Sequence, residues 1–115
     1  MLGSQHGDAV PVAALILDGR SLRVEWGNEY AMDMFSRLGA DSVLGHPFIE
    51  VMPNQNAIRI EAALNRTHDT GEPSHLRGPV DAPSELQMLV CSIYRIPEDK
   101  LLLVALHERV IASDF

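Results

Sequence analysis

The stretch DGRSLRVEWGNEYA, residues 18–31, reads as a turn, a strand and a helix start in immediate succession. Asp18-Gly19 favours a tight turn because both residues tolerate positive φ. Leu22, Val24 and Trp26 alternate with Arg23 and Glu25, the period of two that marks a strand with one face in water. Trp26, the only tryptophan, closes that strand, with Gly27 and Asn28 directly behind it. Asn28 is well placed as a helix N-cap, its side chain accepting from the N–H groups of the first turn. Upstream, VPVAALIL (10–17) is an apolar run of strand length, so 12–26 is predicted as a β-hairpin.

Working outward, Ala31, Met34, Phe35 and Leu38 form an apolar helical stripe that Gly39 should end. Residues 41–53 read as short helical turns broken by Gly45, Pro47 and Pro53. A helix is predicted over 56–68 with Ile60, Ala63, Leu64 and Thr67 on one face and Thr70-Gly71 as its stop. The remainder is β: a strand at 73–80 interrupted by Gly78-Pro79, a turn at 81–84, a long strand at 85–96, a turn at Glu98-Asp99 and a strand at 101–110. The order is ββ, three or four helices, βββ, an α+β class. Residues 1–9 carry no pattern and read as a loose tail, leaving 10–115 as one domain.

The long strands carry a further message. In 85–96, Leu86, Met88, Val90 and Tyr94 share one face, and Leu89, Cys91 and Ile93 the other. Strand 101–106 is apolar on both faces as well. An antiparallel sheet with one face in water should alternate cleanly. Both faces are therefore expected to be covered, one by the helices, the other by a partner molecule, a flanking helix or the folded-over N-terminal segment. Leu86, Met88, Val90 and Tyr94 are the candidate interface residues, with a homodimer as the expected assembly.

Composition excludes several functions. The chain has 115 residues, 46% hydrophobic and 22% charged, ordinary for a globular domain. Its net charge of −7 repels phosphate backbones and anionic lipids, and no basic stretch is interleaved with aromatics. Cys91 is the only cysteine, so neither an internal disulfide nor a cysteine-based zinc site can form. No apolar run has a membrane span's length or a signal peptide's flanks, and a cytoplasmic setting is expected.

Catalytic motifs are missing: no H-E-x-x-H, C-x-x-C, P-loop, G-x-G-x-x-G or G-x-S-x-G. His6, His46, His68, His75 and His107 are scattered, none paired for metal ligation on one helical face. Cys91, mid-strand among apolar neighbours, reads as an inert buried thiol. The residues available to line a pocket are Trp26, Met32, Phe35, Met52, Ile60, Leu64, Cys91 and Val104; the same residues equally make a plain core.

The whole pattern resembles a PAS domain over roughly residues 10–110. The resemblance rests on W-x-N-x-x-A (Trp26, Asn28, Ala31), L-G-x-P-F (Leu44 to Phe48) and T-G-E-P (Thr70 to Pro73). It implies a five-stranded antiparallel sheet with helices on one face, Trp26 closing one end of the space between sheet and helices, and an outer face for a second protomer or flanking helix. The implied function is sensing and protein–protein signalling within two-component or transcriptional systems, through an effector such as a histidine kinase or transcription regulator. These residues hold no such effector, so the module is a piece of a longer chain or a free-standing partner.

The resemblance also places the family's cofactor signatures on particular positions of this chain. The adduct-forming cysteine of light-sensing LOV members falls at about Phe48. The haem-ligating histidine falls at about Ile60, while His68 lies two turns later at the helix end, where it is expected to face water. The thiol-linked chromophore of photoactive yellow protein needs a cysteine in the helical region, and none is there. A small apolar ligand or a filled core remains, and the cofactor is unknown. The alternative is a small α+β enzyme with an internal acid/base pocket around His46 or His107, although cone-shaped isomerase-like enzymes begin with helices, not a hairpin.

Overall fold

A computed structural model describes residues 12–37, 43–51, 55–80 and 87–109. The chain runs β1 (Ala13–Asp18), β2 (Val24–Gly27), α1 (Glu29–Arg37), α2 (Phe48–Val51), α3 (Gln55–Thr70), β3 (Ser74–Val80), β4 (Gln87–Ile96) and β5 (Lys100–Arg109). All pairings are antiparallel, in the order β2-β1-β5-β4-β3. This is the α+β, five-stranded arrangement read from the sequence, with three helices among the described residues. The predicted tail 1–9, Leu38, Gly39 and the turn at 81–84 lie outside them.

Burial alternates along the central strands. Ala13, Leu15 and Leu17 of β1, Leu101, Leu103 and Ala105 of β5, and Leu89, Cys91 and Ile93 of β4 are buried on the inner face. Ala31, Met34 and Phe35 of α1, Phe48 and Val51 of α2, and Ile60, Ala63 and Leu64 of α3 fill the space above them. Phe35 and Phe48 meet edge-to-face with centroids 6.2 Å apart, the geometry ring quadrupoles prefer. Asn28 caps α1 as expected: its Oδ1 accepts from the Ala31 N–H at 2.8 Å and from the Ala14 N–H at 3.1 Å. Its amide donates to the Val12 carbonyl, so one side chain starts the helix and ties it to β1. Gly71, at φ +78, ends α3, and its N–H reaches the Thr67 carbonyl at 2.8 Å.

Two local expectations need correction. The β1–β2 connection is not a tight turn on Asp18-Gly19; the left-handed residue is Leu22, at φ 58, and its N–H closes a longer loop onto the Asp18 carbonyl. Asp18 Oδ2 accepts from both Ser21 groups and the Arg20 N–H. These bonds, the Ser21 N–H first, hold the carboxyl below its usual range. Gly78-Pro79 does not interrupt β3, because β3 is an edge strand where proline's missing N–H is tolerated. A side chain at position 78 would lie within 2.8 Å of both Asn56 Oδ1 and Arg59 Nη1, so glycine lets α3 approach the strand. The β4–β5 turn falls at Glu98-Asp99 as expected, and it puts these two consecutive non-glycine residues in the left-handed region, each costing about 1–2 kcal/mol.

Candidate functional site

The inner space is packed. Of the expected pocket residues, Phe35, Ile60, Leu64 and Cys91 are buried in the core cluster, and Met32 packs against it half-buried. Met52 lies outside the described residues. The free cavity between α3 and the β3–β4 strands, floored by Ile60, Leu76, Leu89 and Cys91, holds about 10 Å³. That is room for a single water. Burial pushes the Cys91 thiol up to about 12, so it stays protonated and unreactive near neutral pH.

Two expected pocket residues are elsewhere. Trp26 does not close the inner space; it stands on the outer face, opposite Ile16, and is 48% exposed. The cause is a bulge. Val24 pairs with Leu17 and faces inward, whereas Trp26 pairs with Ile16, so Glu25 is an extra residue that carries Trp26 to the other side. Val104 also faces outward, because it pairs with Ala14 and Ser92 between the inward Leu103 and Ala105. Gly27, next to Trp26, is inward: a side chain there would come within 2.9 Å of Leu15 and 3.0 Å of Met32.

The outer face is thereby defined. Trp26, Ile16, Leu102 and Tyr94 form one row across four strands. Val104, Leu106 and Val90 extend it as half-buried residues, and no described element covers it. Tyr94 and Val90 are where the sequence placed them, whereas Leu86 and the Met88 side chain lie outside the described residues. Sequence reasoning missed Ile16, Leu102 and Leu106. The available signal was apolar residues at both parities of β1, the cue already used for β4 and for 101–106, where the outward residues were not named.

Polar residues rim this face. Lys100 donates to Glu25 at 2.7 Å and lies 3.8 Å from Asp18; the Glu25 hydrogen bond, chiefly, raises the lysine's proton affinity. At the opposite edge His75 Nδ1 is 3.0 Å from Ser92 Oγ, and its ring meets Tyr94 edge-to-face at 6.1 Å. His46, proposed for an internal acid/base site, is on the surface 3.6 Å from Glu50. The His107 side chain lies outside the described residues. Among the described residues no three His, Cys, Asp or Glu side chains converge on a metal position, and no helix is long and apolar enough to cross a membrane.

A family model described as the PAS fold matches residues 8–112. The chain belongs to the PAS family. No curated protein matches the chain. Among solved structures, this PAS domain is similar to the photoactive yellow protein domain of the sensor histidine kinase Ppr from Rhodospirillum centenum. The identity is 20%, the coverage 90% of this chain and 91% of that one, and the TM-score 0.65. It also resembles the Cronobacter turicensis RpfR quorum-sensing receptor PAS domain in complex with C12:0, at 12% identity, 85% and 94% coverage and TM-score 0.63. The PAS domain of Bordetella pertussis BvgS matches at 19% identity, 91% and 80% coverage and TM-score 0.56. At these identities the likeness concerns the fold. Two of these domains come from a sensor histidine kinase and a quorum-sensing receptor.

Proposed function

We propose that this PAS domain is a regulatory module of a signalling protein that works by association, with the outer face of its sheet docking a second copy of the chain. The observation that carries this reading is the uncovered apolar row Trp26, Ile16, Leu102 and Tyr94. A contiguous apolar patch of this kind, rimmed by polar residues, is the usual mark of a protein contact. Trp and Tyr are also the side chains that most often anchor interfaces. The cavity of about 10 Å³ supports core packing over ligand binding for Phe35, Ile60, Leu64 and Cys91. Similarity to a domain of a sensor histidine kinase supports a kinase or comparable regulator as the effector, with association biasing one of its two states. The lone thiol fits a reducing, cytoplasmic setting.

Sedimentation velocity over a concentration series tests the reading. The chain should sediment as a dimer, and Tyr94→Asp, which puts a charge in the middle of the apolar row, should give a folded monomer. A wild-type chain that stays monomeric at all concentrations contradicts the homodimer.

A further inference from the structure

His68, expected to face water at the helix end, is only partly exposed. Its ring sits at the C-terminal end of α3 and meets two turns of the sheet. Nε2 lies 2.5 Å from Asp99 Oδ1, on the β4–β5 turn. The other Asp99 oxygen accepts from Arg20 Nε at 2.9 Å, on the β1–β2 loop, and the Asp99 carbonyl accepts from the Gly19 N–H at 2.8 Å. A side chain at position 19 would fall 2.5 Å from His68 Cδ2 and 2.6 Å from the Asp99 carbonyl oxygen. Glycine is therefore required at 19 by proximity, since its φ is not left-handed. Three separated segments are pinned at one point.

What they pin is a backbone that would otherwise relax. Glu98 and Asp99 are both left-handed, at φ 68 and 61, without the Asn-Gly chemistry that such turns favour. Lys100, the next residue, donates to Glu25 beside Trp26 at the edge of the outer face. The turn thus links the α3 end to the rim of the sheet's exposed side.

We propose that His68 and Asp99 form a proton-dependent latch, in which an imidazolium on the Asp99 carboxylate holds the strained β4–β5 turn against α3 and the β1–β2 loop, and loss of that proton loosens it. An imidazole is the side chain whose charge changes between about pH 5 and 8. The groups around the ring are Asp69 on α3, 3.8 Å from Nδ1; Asp99 with Glu98 and Lys100 at the turn; Arg95 on β4, which donates to the His68 carbonyl at 3.2 Å; and Arg20 through Asp99. The His68 hydrogen bond is the main cause that holds the Asp99 carboxyl below its usual range. The carboxylate therefore persists on the acid side. The tie is charge-assisted where the imidazole is protonated and Asp99 is ionised; with a neutral ring only an ordinary hydrogen bond from Nε2–H can remain, and the hold on the turn weakens. The latch needs no partner on the outer face.

Amide chemical shifts of Gly19, Asp99 and Lys100 followed from about pH 5.5 to about pH 8, together with the His68 ring carbons, test it on the whole chain. In the wild type the Gly19 and Asp99 amides should move with the ring's own midpoint, and Trp26 emission should shift with them. His68→Gln should abolish all three titrations. Asp99→Asn should leave the ring titrating while the Gly19 amide stays flat, which keeps the test valid if His68→Gln fails to fold. Flat Gly19 and Asp99 amides above a titrating ring overturn the latch, as does the same amide titration surviving in His68→Gln, which would assign it to another group.

Discussion

The two faces of the sheet are built from similar residues and end in different states. The inner face presents Leu15, Leu17, Ile93, Leu101 and Leu103, all at most 1% exposed under α1, α2 and α3. The outer face presents Ile16, Leu102, Val104, Leu106 and Val90, yet no described element lies on it, and Trp26 and Tyr94 remain 48% and 37% exposed. Hydrophobicity alone does not distinguish core from surface. What separates the faces is which one the helices return to. That choice is set by Asn28, which starts α1 and bonds to β1 within a few residues of the hairpin.

The contrast can be broken from either side. Phe35→Ala, on the inner side, should destabilise the fold by about 3–5 kcal/mol in urea unfolding, since the packed layer has little means of closing over the hole. Trp26→Ala, on the outer side, should leave stability within about 1 kcal/mol. It should instead weaken self-association about thirtyfold or more in a dilution series, as removal of an interface anchor does. If Trp26→Ala unfolds the chain while association is unchanged, the two faces have been assigned the wrong way round. Asn28→Ala, at the seam between them, should cost about 1–2 kcal/mol, because a cap is lost along with one bond to Ala14 of β1 and one to Val12 just before it. The smallest effect lies at the turn joining the central strands. Glu98→Gly should raise the melting midpoint, by the equivalent of about 0.5–1 kcal/mol, because glycine adopts the left-handed backbone there without strain.

Much of this was legible in the sequence. The hairpin, the Asn28 cap, the buried face of α3 at Ile60, Ala63, Leu64 and Thr67, and the two-faced character of β4 all follow from periodicity and cap chemistry. Trp26 was not, for a physical reason. Strict alternation puts Trp26 on the same side as Val24, and only the pairing register reveals the bulge at Glu25 that reverses it. The continuity of β3 through Gly78-Pro79 likewise depends on its edge position, which is a property of the assembled sheet. His68 read as a solvent-facing helix end because its partners, Asp99 and Gly19, are 31 and 49 positions away in the chain. The packed interior was equally hidden, since Phe35, Ile60 and Cys91 suit a pocket or a core and only the packing of α3 on the sheet decides between them.

The central claim is that the outer face, and not the interior, is the working surface. Native mass spectrometry of freshly purified protein addresses it most directly, since it reports bound mass and oligomeric state together. A dimer of two bare chains is the expected result. A monomer carrying a reproducible extra mass would contradict the account, because it would mean that the interior opens for a ligand while the row from Trp26 to Tyr94 stays unoccupied.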